Sequence, residues 1–457
     1  MPLPLRLLTQ RRFAPLFVLF QTGTFNDNVL KNALIALITF GGVAFLSDLP
    51  SQMRVPVAAL IFTGPFTILC AISGQIADKV DRGVIFRWVK RAEVGIMLLA
   101  ALGFYLMDVR ILAVALRLMG AQSAFFSPTK NAVLPQWLSS EELITGNAIL
   151  SGFQFAIILV GTIVGLFVLK MGATTISIML VIFALVGWLA AEQCPPAPAP
   201  KPDLKVNYEP VTATISVLSK AWGHKDVLRP LLGIAWFYAA STVFVTTLPD
   251  LVGTTMGYSE AALQLLLATS TISILLGALT VMVVGNARIW GPESVRLSAL
   301  GITLVMVFTL MLILIPGPLY QGEEAFGPVG EFIADPATPL FIAALAGASF
   351  CNGLFLVPLQ AMAQRRSDPA IRARLMSAGA VLVNLFVNIT TFGLIALAAR
   401  EFGPTAPFWI VSVGSAMVAA YAIWRSFNPV YDRDELAALD AAHDPLDHPG
   451  TASSETA

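Results

Sequence analysis

An all-α membrane protein, built of twelve transmembrane helices in two six-helix halves, is the fold class this sequence predicts, and three observations predict it. The 457 residues are 56% hydrophobic and only 12% charged, with a mean hydropathy of +0.77, which is the composition of an integral membrane protein rather than of a soluble domain. Apolar runs of about 20 residues, the length that crosses a bilayer as a helix, recur along the whole chain. They fall into two sets of six on either side of Cys194-Pro195-Pro196-Ala197-Pro198-Ala199-Pro200, a composition typical of a semi-rigid spacer.

The spans read at about 14–45, 55–77, 91–107, 111–128, 146–169, 173–191, 228–252, 259–285, 295–315, 339–360, 375–399 and 405–425. Residues 1–191 thus form the first half, 192–227 a linker, 228–425 the second half and 426–457 an acidic tail, solvated by its composition. Arg6, Arg11 and Arg12 precede span one, but the run is too long for a signal peptide and lacks a small-residue cleavage site, so it reads as a retained span.

Span one carries the most informative interruption. At 100° per residue, Gln21, Thr24, Asp27, Asn28, Lys31 and Asn32 share a wedge of about 140°, while Val29, Leu30, Ala33, Leu34 and Leu37 take the rest. Charges at bilayer depth are costly and face a bundle interior or a wet cavity. Asp27 and Lys31 also stand i,i+4 with the acid first, the favourable order for a partial ion pair.

After span two comes Gly74-Gln75-Ile76-Ala77-Asp78-Lys79-Val80-Asp81-Arg82-Gly83, followed by Arg87, Lys90 and Arg91. The N-terminus, this loop, Lys130, the linker, Arg288, Arg296, the 365–374 loop, Arg425 and Arg433 hold most of the basic residues. The opposite loops hold only Arg54, Arg110, Lys170 and Arg400. The positive-inside rule therefore puts the first set, with both termini, in the cytosol.

Arg117 lies on span four about seven residues, or ~10 Å, from its outer end, with Gly120 one turn on, and a buried arginine wants an anion. Span five aligns Asn147, Ser151, Gln154, Gly161 and Gly165, and span eleven aligns Ser377, Asn384, Asn388 and Thr391, each set on a narrow arc suited to lining or to packing. In the linker, Val211, Ile215, Leu218 and Trp222 stand at helical spacing, as in a helix lying in the membrane surface. Ala124-Phe125-Phe126-Ser127-Pro128-Thr129-Lys130 and Leu354-Phe355-Leu356-Val357-Pro358-Leu359-Gln360 repeat a proline at the ends of spans four and ten. Paired halves of this kind are a transporter architecture with its site at the midplane between them.

Other functional classes find little support. Lys+Arg and Asp+Glu number 28 each, which removes a case for nucleic acid. Three cysteines make neither a disulfide framework nor a metal pattern, and neither a cofactor nor a metal is expected. The histidines are His224, His443 and His448, and none begins the His-x-x-x-x-Asp pair that would activate a hydroxyl for acyl transfer. An enzyme is not expected.

Gly74-x-x-x-Asp78-Lys79-x-x-Arg82 resembles the loop motif G-x-L-A-D-R-x-G-R of the major facilitator superfamily, with Asp81 where the second glycine is usual. That resemblance implies a cytosolic latch across the two halves, with Asp78 and Arg82 as gating residues. Phe25-Asn26-Asp27-Asn28, Lys31-Asn32, Phe125-Phe126-Ser127-Pro128-Thr129-Lys130, Leu134-Pro135, Gly146-Asn147, Val357-Pro358-Leu359-Gln360 and Asn384 with Asn388 together resemble the bacterial lysophospholipid transporters. Asn131, Ser151 and Arg117 depart from that pattern. The resemblance implies a flippase of the bacterial inner membrane, moving lysophospholipids from the outer to the inner leaflet, where a separate acyltransferase re-acylates them. Asp27 and Lys130 match the family's acid and lysine. Asn28, Lys31, Asn32, Arg117, Gln154, Asn384 and Asn388 complete the expected substrate site, and Asp27 would take either the head-group ammonium or a coupling cation.

Bringing a chain of about sixteen carbons into water would cost on the order of 12 kcal/mol at ~0.8 per CH₂, so the tail should stay among the membrane lipids. The superfamily arrangement implies lateral gaps where span five meets span eight and span two meets span eleven. Gly152, Gly161, Gly165 and Gly277 either line such a slot or serve close packing. Arg117-x-x-Gly120 also resembles the span-four motif of proton-coupled drug exporters, which supplies the alternative of a proton-coupled exporter of drugs or small amphiphiles.

Overall fold

The computed structural model describes residues 3–438 except 41–50, 167–171, 286, 291, 316, 323–326, 399, 401, 404, 432–433 and 437. The expected acidic tail, 426–457, lies outside the described residues from 439 on, as do Lys170 and Arg433. Among the described residues, twelve long helices carry the fold. They are α1 (Ala14–Phe40), α2 (Ser51–Lys79), α3 (Arg82–Leu106), α4 (Val109–Trp137), α5 (Ser140–Leu166) and α6 (Ala173–Glu192), then α7 (Lys225–Asp250), α8 (Glu260–Val284), α9 (Val295–Leu314), α10 (Thr338–Arg365), α11 (Arg372–Ala398) and α12 (Ala406–Phe427). Ten are long and apolar enough to cross a membrane; the other two, α1 and α3, are those with polar interruptions.

Two helices differ from the expected spans at 91–107 and 111–128: α3 starts at Arg82 instead, and α4 runs on to Trp137. Asp81 caps α3, accepting a hydrogen bond from the Val84 N–H at 3.1 Å. The same carboxylate accepts from the Ala197 N–H at 3.0 Å, so the residue standing where the loop motif has glycine also ties down the linker. Gly83 permits this, since a Cβ there would lie 2.9 Å from the Pro195 carbonyl. The proline-rich segment is therefore seated on the first half rather than free.

Within each half the helices pair alike: α1 with α5 as α7 with α11, α2 with α4 as α8 with α10, and α3 with α6 as α9 with α12. This repetition at an offset of six helices is what the Pro128 and Pro358 segments hinted at; both prolines are buried inside their helices, α4 and α10. Phe25, Leu30, Met97, Phe104, Leu112 and Leu180 centre the first half's core, and Phe237, Phe244, Phe341, Phe355 and Phe408 the second's. The halves meet along α5 with α8 and along α2 with α11.

The linker helix spans Pro210–Gly223. Glu209 caps it, and hydrogen bonds from Thr212 and the Val211 N–H hold its carboxyl below the usual carboxylate range. Ala213, Val217 and Ala221 are buried against α2, α7 and α11, which leaves Val211, Ile215 and Trp222 exposed on the outer side.

Candidate functional site

A cavity of about 410 Å³ lies between the halves. From α1 it is lined by Phe20, Thr24, Asp27, Asn28 and Lys31; from α4 by Gln122, Ser123, Phe126 and Lys130; and from α5 by Gln154. Tyr238 of α7, Gln360 and Gln364 of α10, and Val383 and Asn384 of α11 close the other side.

The wedge of span one divides on folding. Asp27 and Lys31 do not pair: the Ser123 hydroxyl donates to the two Asp27 oxygens at 3.3 and 3.2 Å, and Lys31 Nζ donates to Asn28 Oδ1 at 3.1 Å. Asn32 leaves the cavity, donating to the Asn28 carbonyl at 2.8 Å and to Thr162 Oγ1 at 3.2 Å across the α1–α5 contact. Gln21 likewise donates to the Leu150 carbonyl. Lys130 Nζ sits 3.8 Å from the centre of the Phe20 ring, a cation–π contact.

Besides Asn32, two expected site residues lie elsewhere. Arg117 is exposed on the outside of α4, because at 100° per residue it stands about 140° round from Gln122 and from Lys130. Gly120 belongs to helix packing: a Cβ there would fall 2.0 Å from the Phe62 carbonyl of α2. Asn388, one turn beyond Asn384, is exposed and off the cavity.

In exchange, α3 contributes two charges that sequence reasoning missed. Starting at Arg82, it places Lys90 eight residues, or ~12 Å, inside the helix rather than in a loop. Lys90 is 1% exposed and Glu93 0%, and they pair at 2.6 Å. Glu93 also accepts from Asn26 Nδ2 at 3.0 Å and Gln122 Nε2 at 3.3 Å. Ser123 Oγ lies 3.2 Å from Gln122 Oε1 as well, but its one proton serves either that oxygen or Asp27, so Lys90, Glu93, Gln122, Ser123 and Asp27 form a contiguous polar cluster rather than one donor chain. Gly23 and Gly187 make room for the lysine; their Cβ atoms would lie 2.7 and 3.3 Å from its Nζ. The i,i+3 spacing of Lys90 and Glu93 and the apolar run after them were the available signal.

At the end carrying the linker, hydrogen bonds join the halves. Asp78 and Arg82, both fully buried, meet at 3.5 Å, yet Arg82 otherwise bonds to the Ala77 and Ala132 carbonyls of its own half. The contact that crosses is Asp78 to Arg374 Nε at 2.7 Å, reinforced by the Ala373 N–H in the first turn of α11 at 3.1 Å. Ser377 donates to the Cys70 carbonyl at 2.6 Å, Asn147 and Gln364 exchange bonds at 2.7 and 3.1 Å, and Ser151 donates to Gln360 at 2.7 Å. Gly74 is the close point, where a Cβ would lie 2.1 Å from Ser377 Oγ and 2.8 Å from the Ala373 carbonyl.

Three of the four glycines considered for a lateral slot pack within their own halves. Gly161 and Gly165 press on the α1 backbone at Phe25 and Val29, and Gly277 on the Phe350 carbonyl of α10. Only Gly152 faces the other half, against Leu275, Ala278 and Leu279 of α8. Among the described residues no group of three or more His, Cys, Asp or Glu side chains is placed to hold a metal.

Comparison with known proteins accords with this architecture. The chain is 23% identical over 406 residues to a lysophospholipid transporter, LplT, of Shigella flexneri serotype 5b (strain 8401), covering 88% of this chain and 92% of that one. It is 25% identical over 409 residues to the Klebsiella pneumoniae (strain 342) protein of the same name, covering 87% and 91%. Among solved structures it is similar to the transporter FucP in its outward conformation, with a TM-score of 0.65 at 12% identity over 90% of this chain and 98% of that chain. A bacterial homologue of the iron transporter ferroportin in its outward-facing state follows with a TM-score of 0.61 at 14% identity, over 90% and 99%. The family model of the Major Facilitator Superfamily matches residues 87–322, more than half of the chain. With twelve helices repeated six by six around one central cavity, this chain belongs to the major facilitator superfamily and is a multi-pass membrane transporter.

Proposed function

We propose that this transporter carries lysophospholipids from the outer to the inner leaflet of the bacterial cytoplasmic membrane by alternating access. One observation carries the reading: the cavity offers a carboxylate bonded to a neutral serine hydroxyl, Asp27, and a lysine seated on an aromatic ring with no carboxylate within ion-pair distance among the described residues, Lys130. An ammonium and a phosphate are the two charges of a zwitterionic head group, and Asp27 and Lys130 are their natural partners, with Lys31 beside the path. Asp27 serves equally as the seat of a coupling cation. The similarity to lysophospholipid transporters along 88% of the chain supports the same substrate class.

In this reading residues 1–191 and 228–425 rock against each other, and Asp78 with Arg82 and Arg374 holds the cytosolic end shut. Both termini lie in the cytosol, where a separate acyltransferase consumes the product. The acyl tail stays in lipid and passes along the α5–α8 or α2–α11 seam, which parts during the cycle. The alternative, a proton-coupled exporter of drugs or amphiphiles, rested on Arg117, whose place outside the cavity takes that support away.

The test is uptake of labelled lysophosphatidylethanolamine into spheroplasts, beside a drug-sensitivity panel in the same cells. Uptake in the wild type, lost in Asp27→Asn at unchanged protein level, is the expected outcome. Normal uptake by the purified and reconstituted variant sinks the site assignment, and drug resistance without lipid uptake selects the exporter.

A further inference from the structure

A second cavity lies wholly within the second half. Helix α12 packs along α9 and meets α7 at Phe244–Phe408 and Trp236–Ser415, leaving beside its C-terminal half a slot of about 480 Å³, well within the range of small-molecule sites, ~300–1,000 Å³. Leu232, Trp236, Phe355, Leu359, Met417 and Val418 make its bore apolar. At the end away from the linker stands Trp236, whose indole N–H donates to Ser415 Oγ at 3.1 Å and whose ring covers Gly414, where a Cβ would lie 2.0 Å away. Helix α7 is the wall shared with the central cavity: Leu231, Ile234 and Tyr238 face that cavity, and Leu232, Gly233 and Trp236 face the slot.

Three arginines stand at the linker-side mouth, and they differ. Arg229 is paired with Asp226 at 3.2 Å and Arg366 with Glu293. Arg425 has no carboxylate partner among the described residues; its guanidinium bonds to the Tyr421 hydroxyl at 3.1 Å and the Asn428 carbonyl at 3.2 Å, and lies 5.0 Å from the centre of the Trp424 ring. Exposed Tyr421, Trp424 and Phe427 surround it, the belt of aromatics that marks head-group level. From Arg425 to Gly414 is eleven residues, about 16 Å of helix.

We propose that this slot holds one acyl chain of an anionic phospholipid from the linker-side leaflet, with the lipid phosphate on Arg425. An apolar bore opening beside a cation without an acid, at head-group depth, matches an amphiphile with a negative head. Basic pockets between transmembrane helices bind such head groups. The assignment is independent of what the central cavity carries.

The probe is phosphatidylglycerol carrying a diazirine at the end of one acyl chain, mixed into phosphatidylcholine nanodiscs holding the full-length protein, with adducts mapped by peptide mass spectrometry. Adducts should concentrate on the peptides holding Trp236 and Met417–Val418. Arg425→Gln should lower them roughly tenfold, the weight of one hydrogen bond to a charge, while adducts elsewhere on the lipid-facing surface stay constant. Val418→Trp, which fills the bore and keeps the arginine, should lower them too. Even labelling over the surface, full labelling in both variants, or equal labelling by a phosphatidylcholine diazirine would overturn the proposal. So would protection by inorganic phosphate alone, or slot labelling that arises only after deletion of residues 439–457, which would make the acidic tail the occupant.

Discussion

The two walls of the central cavity are built from different chemistry. Among the described residues, every charged side chain that lines it, Asp27, Lys31, Lys90, Glu93 and Lys130, belongs to the first half, whereas the second half contributes Leu231, Ile234, Tyr238, Met376, Val383 and the neutral amides Gln360, Gln364 and Asn384. On the proposed reading, a head group would be held by one half, while the other slides past it on apolar and amide surface. Such a division suits alternating access, because charges confined to one rigid body need not exchange partners as the halves move. The asymmetry also explains why α1 and α3, alone among the twelve helices, fall short of ordinary membrane-span composition.

The largest effect should come from breaking the charged wall. Glu93→Gln leaves Lys90 buried without its acid, a loss of about 3–5 kcal/mol of stability. A thermal unfolding series in detergent should show this, and Lys90→Met added to Glu93→Gln should restore much of it. Equal losses in the single and double variants would mean that Glu93 acts through packing and Asn26 rather than through charge.

A smaller effect is expected where the two halves touch. Removing Arg374 by Arg374→Ala takes a hydrogen bond from the buried Asp78 carboxylate, worth ~1.5–3 kcal/mol, enough to shift the closed population roughly ten- to hundredfold. Gly74→Ala should act in the same direction by steric means, since its Cβ has no room against Ser377 and the Ala373 carbonyl. Cys70 reports the change: it is buried at this seam, its Sγ 3.8 Å from the Ser377 carbonyl. Faster maleimide labelling of Cys70 in both variants is the outcome expected of a latch. Unchanged labelling in both would leave the seam a static contact.

The smallest effect belongs to the neutral wall. Asn384 donates only to the Ala380 carbonyl of its own helix, at 2.9 Å, so Asn384→Ala should change the KM for lysophospholipid by no more than one neutral hydrogen bond, about 0.5–1.5 kcal/mol. Abolished uptake in a stable Asn384→Ala protein would show that the second half reads the head group as well and would erase the contrast between the walls.

How far the site could be read in advance follows from what kind of information each residue required. Asp27, Asn28 and Lys31 were legible because a polar wedge in one helix is a local pattern, and at their depth they had to face inward. Gln154 was legible from a similar arc on span five, whereas Lys130 was named only through its match to the family's lysine. Lys90 and Glu93 were not legible, because charge counting assigns a lysine near a basic loop to that loop, and only the start of α3 at Arg82 carries it inside. Arg117 failed in the opposite sense: its depth along α4 was readable, but the 140° that separates it from Gln122 and Lys130 tells against it only once those two are seen to face the cavity. Arg374 could not have been matched to Asp78 from a loop motif, since 296 residues separate them.

By itself, then, the sequence determined the number and order of the membrane helices, the linker helix and the wet side of α1, because hydropathy and the 3.6-residue period act within a single helix. Only the tertiary structure decided that Gly161 and Gly277 are packing points rather than portal walls, that Arg117 leaves the cavity while Lys90 and Glu93 enter it, and that Asp78 is answered from the other half. Those outcomes depend on which faces of distant helices come together, and close-packed surfaces make that choice jointly.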